Sequence, residues 1–126
     1  MLVVDASACV SLLLGDERAE WVRERIEGQW LLHAPALIDF EVGSALRALQ
    51  ERGRARMAFE DLGRIRLLRY PGQPLLERVW ELRRRLSAYD ASYVALAEAL
   101  DLPLLTLDHK LARAGGHSAV VHAPPA

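Results

Sequence analysis

A chain of 126 residues, 52% of them apolar, is long enough to bury one core without metal or disulfide staples and too short for two. Its 16 Lys+Arg against 17 Asp+Glu give a formal net charge of -1, which argues against a protein that coats nucleic acid by bulk charge and against a disordered chain. The single cysteine, Cys9, leaves no internal disulfide and no cysteine-based zinc site, and no run approaches the roughly 18 apolar residues of a membrane span.

The opening Leu2-Val3-Val4 is short, apolar and β-branched, and Asp5 ends it too soon for a signal peptide. A soluble, cytoplasmic protein forming one domain over 1–126 is expected. Ser7 can cap a helix over Ala8 to Leu14, stopped by Gly15-Asp16. A second helix, about Glu17 to Glu27, carries the apolar stripe Ala19, Trp21, Val22 and Ile26, and Trp30-Leu31-Leu32 follows as a second strand. Pro35 suits a helix first turn, with Ile38, Val42, Ala45, Leu46 and Leu49 at helical spacing as far as Gly53. Next come a helix over Ala55 to Leu62, an edge strand over Arg66 to Tyr70, and a helix over Leu75 to Leu86 with Leu76, Val79, Leu82 and Leu86 inward. Asp90 opens a helix buried through Val94, Ala97 and Leu100. Leu104 to Leu107 reads as a strand ending at Asp108, His109 to Ala114 as a short helix, and Ser118 to His122 as a last strand. Short strands alternating with helices predict an α/β fold on a mainly parallel sheet.

Open parallel sheets place their sites at the carboxyl ends of strands. Asp5 and Asp108 stand at two such ends, and Asp90 precedes the strand that Asp108 closes. Taken singly, each reads as a helix cap or a turn. Glu41 and Asp39 flank the apolar stripe of one helix on its two sides, and the helical wheel does not choose between them. Carboxylates crowded at one site cannot all stay ionised unaided: either some take up protons or a cation neutralises them. Oxygen ligands with no cysteine and no paired histidine suit Mg²⁺ or Mn²⁺, and such an ion suits phosphoryl transfer to water.

Other chemistries lack support. There is no glycine-rich phosphate loop and no Gly-x-Ser-x-Gly elbow, and His33, His109, His117 and His122 lack metal-ligand spacing. Arg83-Arg84-Arg85, and Arg47, Arg52, Arg54 and Arg56, read as solvated helix faces able to touch RNA phosphates, and Trp21, Trp30 and Trp80 read as core or interface.

Four blocks occur in order: Val3-Val4-Asp5-Ala6-Ser7-Ala8; Pro35 with Glu41-Val42 and Ala45-Leu46; Tyr89 to Ala97; and Leu104-Leu105-Thr106-Leu107-Asp108. Together they resemble the PIN-domain ribonucleases, most closely the VapC toxins of toxin–antitoxin pairs. The resemblance implies a PIN-like fold, a five-stranded mainly parallel sheet flanked by helices. It implies a metal-dependent endoribonuclease with Asp5, Glu41, Asp90 and Asp108 as catalytic acids around one or two Mg²⁺ or Mn²⁺ ions. It places Thr106 and Ser7 just behind them. Because an acidic site repels RNA, a flanking basic strip is also expected, with Arg47, Arg83, Arg84 and Arg85 as candidate RNA contacts. The implied partners are an RNA cut to 5′-phosphate and 3′-hydroxyl ends, a VapB-type antitoxin whose tail blocks the acidic pocket, and a second copy or a hetero-oligomer. Many relatives carry Asn where this chain has Ser44, which bears on ligand or RNA orientation. Two competing readings are a housekeeping PIN nuclease and a receiver-like binding module without catalysis.

Overall fold

The computed structural model describes residues 1–49 and 53–125. The expected RNA contact at Arg52 lies outside the described residues. Five strands, β1 (Leu2–Val4), β2 (Leu32–Pro35), β3 (Leu67–Tyr70), β4 (Leu104–Leu105) and β5 (Val121–His122), form one parallel sheet in the order β3-β2-β1-β4-β5. Its helices are α1 (Ala6–Leu14), α2 (Ala19–Ile26), α3 (Ile38–Ala48), α4 (Ala55–Leu62), α5 (Leu76–Glu81), α6 (Ala88–Leu100) and α7 (His109–Arg113). Among the described residues, no helix is long and apolar enough to cross a membrane.

The strand order decides where a site can form. The chain builds outward from β1 to β2 and β3, then returns to the other side of β1 with β4 and β5. Connections therefore leave the carboxyl ends of β1 and β4 in opposite directions, and a crevice opens between them. The same order differs from the 2-1-3-4-5 arrangement of receiver-like sheets, so the fold is not receiver-like.

β1 is buried along its whole length, as a central parallel strand must be. Ala8, Val22, Ile38 and Val42 from α1 to α3, with Ala91 and Val94 from α6, complete the core. Helix α6 buries every residue from Ala91 to Ala97, wider than the predicted stripe, because it packs on β1, β2 and β4 as well as on α5. Small residues on three of its faces permit that approach.

Three local expectations are corrected. The second strand starts at Leu32, where pairing with Leu2 and Leu67 begins; Trp30 lies outside it, 63% exposed, with the Arg66 guanidinium above its ring. Trp80 is likewise exposed, so neither ring is core. Pro35 ends β2 instead of opening a helix; the N–H of Ala36 makes the bond to the Tyr70 carbonyl at 2.7 Å. The helix expected over Leu75 to Leu86 is broken into a one-turn 3-10 helix (Gln73–Leu75), α5, and turns beyond Glu81. That initial turn rotates Leu75 into the core and leaves Leu76 exposed, while Leu82 and Leu86 stay buried as expected. Cys9 is buried, and burial pushes its thiol up to about 12, so it is chemically quiet.

Arg78 of α5 donates to both oxygens of Glu98 on α6, at 2.8 and 3.0 Å, and to the carbonyl of Gly116 at 3.0 Å. Glu98 also accepts from the N–H of Ser118 at 2.9 Å. This cluster ties the chain entering β5 to the two helices, and the Arg78 hydrogen bonds hold the Glu98 carboxyl down to about 2. A depressed carboxylate contributes stability that is present above its unfolded value near 4.5 and lost as pH falls toward 2. Arg78 is about a third exposed, so screening reduces the contribution to about 1–2 kcal/mol. Glu98→Gln is expected to lower the melting temperature at neutral pH and to make its decline between pH 4.5 and 2 shallower than in wild type. Parallel melting curves across that range would overturn the assignment.

Candidate active site

Asp5 is the first residue past β1 and the N-cap of α1. Capping alone would leave it in water, yet it is 4% exposed. Its carboxylate accepts from the N–H of Ala8 at 3.0 Å, from the Ser7 hydroxyl at 2.7 Å and from the Thr106 hydroxyl. Asp5, not Ser7, therefore caps the helix. Ser7 in turn accepts from the N–H of Leu107 at 3.0 Å, and Thr106 from the N–H of Asp108 at 3.0 Å. These hydroxyls stitch the end of β1 to the end of β4 across the crevice.

The other three acids reach the same crevice from separate elements. Asp108 caps α7, accepting from the N–H groups of Lys110 and Leu111. Asp90 lies in the first turn of α6, not at its cap; Ser87 is the cap and accepts from the Asp90 N–H at 3.1 Å. Glu41 extends from α3 and accepts from the Tyr93 hydroxyl at 2.6 Å. Asp39, two residues earlier on the same helix, points elsewhere: it is clamped by Arg69 through bonds of 2.7 and 2.9 Å. Three dimensions thus separate two acids that the helical wheel could not.

Burial raises the carboxyls of Asp5, Glu41 and Asp90 above the usual range, and each is pushed further by a neighbouring acid: Asp5 by Asp90, Glu41 by Asp90 and Asp5, and Asp90 by Asp108. Hydrogen bonds from Thr106, Ala8 and Ser7 oppose the rise at Asp5, as Tyr93 does at Glu41 and Ser87 at Asp90. The donor set is all oxygen, acidic, and suited to a hard divalent cation. Among the described residues, no three acid, histidine or cysteine side chains gather closely enough to grip one ion unaided. An ion such as Mg²⁺ keeps several waters and takes only one or two carboxylates directly, so it does not need such a cluster. The residues fit the group.

Glu41 stands between two hollows. One, of about 330 Å³, is lined by Ser7, Ser11, Asp16, Arg18, Glu41 and neighbouring small residues. The other, of about 470 Å³, is lined by Leu37, Phe40, Glu41, Ser44 and Tyr89. Arg18 spans the first hollow and donates to the Leu107 carbonyl at 3.4 Å, beside Asp108. No ion pair engages it among the described residues. Periodicity could not have found Arg18, which stands outside any helical stripe, nor the role of Tyr93, which reads as core. Of the expected RNA contacts, Arg47 lines another hollow with Arg56 and Phe59, Arg83 stacks on Trp80, Arg84 is exposed, and Arg85 lies against Gly116.

Residues 2–117 match the family model of the PIN domain. Ribonuclease VapC9 of Mycobacterium tuberculosis is 48% identical over 120 residues, covering 91% of this chain and 91% of its own. This chain belongs to the PIN-domain VapC ribonucleases. Ribonuclease VapC1 of the same species is 43% identical over 120 residues and 90% of each chain. Among solved structures, VapC20 of Mycobacterium tuberculosis, a sarcin-ricin loop cleaving toxin, superimposes with a TM-score of 0.72 at 18% identity, covering 95% of this chain and 98% of its own. VapBC2 from Rickettsia felis, bound to a promoter DNA fragment, gives 0.70 at 13% identity over 97% of both chains. The fold expected from the VapC resemblance is thereby borne out.

Because the Asp5 carboxyl is raised by burial, ionising it costs the folded state, a cost absent at low pH that grows as pH rises above the ordinary carboxylate range. Metal-free Asp5→Asn is expected to match or exceed wild-type stability at pH 7, by up to about 1 kcal/mol in thermal melts. A marked drop would make helix capping its main role.

Proposed function

We propose that this chain is the toxin of a VapBC-type pair, an endoribonuclease that hydrolyses RNA phosphodiester bonds at the crevice between β1 and β4. The observation that carries the reading is the buried Asp5 carboxylate facing the charge of Asp90 and Glu41 at the topological switch point. Asp5, Glu41, Asp90 and Asp108 would hold Mg²⁺ or Mn²⁺. When bound, such an ion supplies Lewis acidity toward the phosphodiester and makes water a competent nucleophile at neutral pH.

The chain's own groups do the rest. Ser7, Thr106 and the Ala8 N–H fix both oxygens of Asp5, so its orientation costs nothing when substrate arrives. Tyr93 restrains Glu41 in the same way. Arg18 offers a cation to a phosphate on the opposite side of Glu41 from the aromatic hollow. The relatives named as ribonucleases support RNA as substrate, and neighbours such as the toxin–antitoxin complex from Klebsiella pneumoniae, with a TM-score of 0.66 at 20% identity, support a protein antitoxin as partner. A cytoplasmic setting and self-association belong to the same reading.

Induced expression in a bacterial host, with mapping of new 5′-phosphate RNA ends, tests it. Discrete ends are expected with wild type and are expected to fall by about two orders of magnitude or more with Asp5→Asn or Asp90→Asn. Equal cleavage by wild type and variant would remove the carboxylates from the chemistry. Thr106→Val is expected to weaken Mg²⁺ or Mn²⁺ binding, read as cation-induced thermal stabilisation, by about 10–100-fold, with Thr106→Ser restoring it. Arg18→Ala is expected to weaken RNA binding and to reduce the slope of log affinity against log salt by about one. An unchanged slope would show that Arg18 meets no phosphate.

A further inference from the structure

We infer that the hollow bordered by Phe40 and Tyr89 is a nucleobase subsite, where a base flanking the scissile phosphate of single-stranded RNA stacks against aromatic rings. The inference rests on the ribonuclease reading and adds the part of the substrate that the acids do not touch.

Phe40 is 82% exposed and Tyr89 60% exposed, so neither ring supports the core. Each immediately precedes one of the acids, Phe40 before Glu41 on α3 and Tyr89 before Asp90 on α6. Leu37, Phe40, Glu41 and Ser44 fall at i, i+3, i+4 and i+7, one face of α3, and Tyr89 closes the hollow from a different element. Its volume of about 470 Å³ lies within the range of sites for small planar ligands.

The lining chemistry selects among the parts of an RNA. Among the described residues, no Lys or Arg lines this hollow and the Glu41 carboxylate is its one charge, so a phosphate finds no cationic side chain there. A base brings a neutral π-face that stacks on aromatic side chains whatever its identity. Arg18 lies in the hollow on the other side of Glu41, so phosphate and base have separate berths. Ser44 adds a hydroxyl that both donates and accepts, a means of reading one base edge. Continuity with the acids through Glu41 favours RNA over a second protein chain as occupant.

The test uses a ribo-oligonucleotide spanning a mapped cleavage site and a set in which one base at a time is abasic. Phe40→Ala and Tyr89→Ala are expected to raise KM about ten- to a hundred-fold, with the loss falling on KM and not on kcat. Phe40→Trp is expected to keep wild-type KM, and Phe40→Leu to resemble Phe40→Ala. One abasic position is expected to cost wild type the same factor and to cost Phe40→Ala nothing further. Unchanged KM, equal rescue by Leu and Trp, or additive losses at every abasic position would overturn the subsite. So would intact RNA kinetics accompanied by loss of self-association in sedimentation, which would assign the rings to a protein partner. Failure of wild type itself to cut any RNA would instead strike the ribonuclease reading.

Discussion

A carboxylate kept out of water at the meeting of two strands is the constraint around which this molecule is arranged. Asp5 could have remained a solvated helix cap. Instead it lies beneath the crevice, and the cost of burying it is offset by one backbone N–H and two hydroxyls aimed at its oxygens. Both hydroxyls have second tasks: Ser7 receives the N–H of Leu107, and Thr106 receives that of Asp108. The groups that orient the first acid therefore also set the turn that presents the fourth. Moving any one of them disturbs the others, which is how a hydrogen-bonded network differs from a set of independent caps.

The acids tolerate one another only in part. Three have carboxyls raised by burial and by neighbouring acids, while among the described residues Arg18 is turned to a carbonyl and Lys110, at the start of α7, only partly offsets the charge at Asp90. Elsewhere the protein neutralises its acids locally, as Arg69 does for Asp39 and Arg78 for Glu98. The contrast separates acids that stabilise the fold from those whose repulsion is left unrelieved. Local conflict of this kind, within a chain that is otherwise consistent, is what a functional site looks like in energetic terms.

Much of this was legible in the sequence because it depends on local signals. The apolar run ending at Asp5, the helix over 55–62 and the edge strand closing at Tyr70 need only hydrophobic pattern and turn chemistry, and each lies where the pattern puts it. Errors arose where packing outweighed pattern. Trp30-Leu31 looks more strand-like than His33-Ala34, but register with β1 and β3 gives the sheet position to the latter. Leu76 looks inward-facing, but the 3-10 turn ahead of it hands that place to Leu75. At the site, the choice between Asp39 and Glu41 needed a partner 30 residues away, Arg69, which no helical wheel contains. Tyr93 was hidden for a similar reason, since its hydroxyl matters only once α3 and α6 lie side by side.

The strand order also governs when the site can exist. Asp5 and Thr106 bond across 101 positions of sequence, and β1 cannot acquire its β4 neighbour until that distant segment is available. A growing chain on the ribosome can pair β1 with β2 and β2 with β3 early, yet Thr106 and Asp108 are absent until most of its length has been made. Closing so long a loop is also the entropically costly part of folding. The same topology that gathers the acids therefore delays their assembly, so the crevice is completed only late in synthesis, long after the first half of the sheet can form.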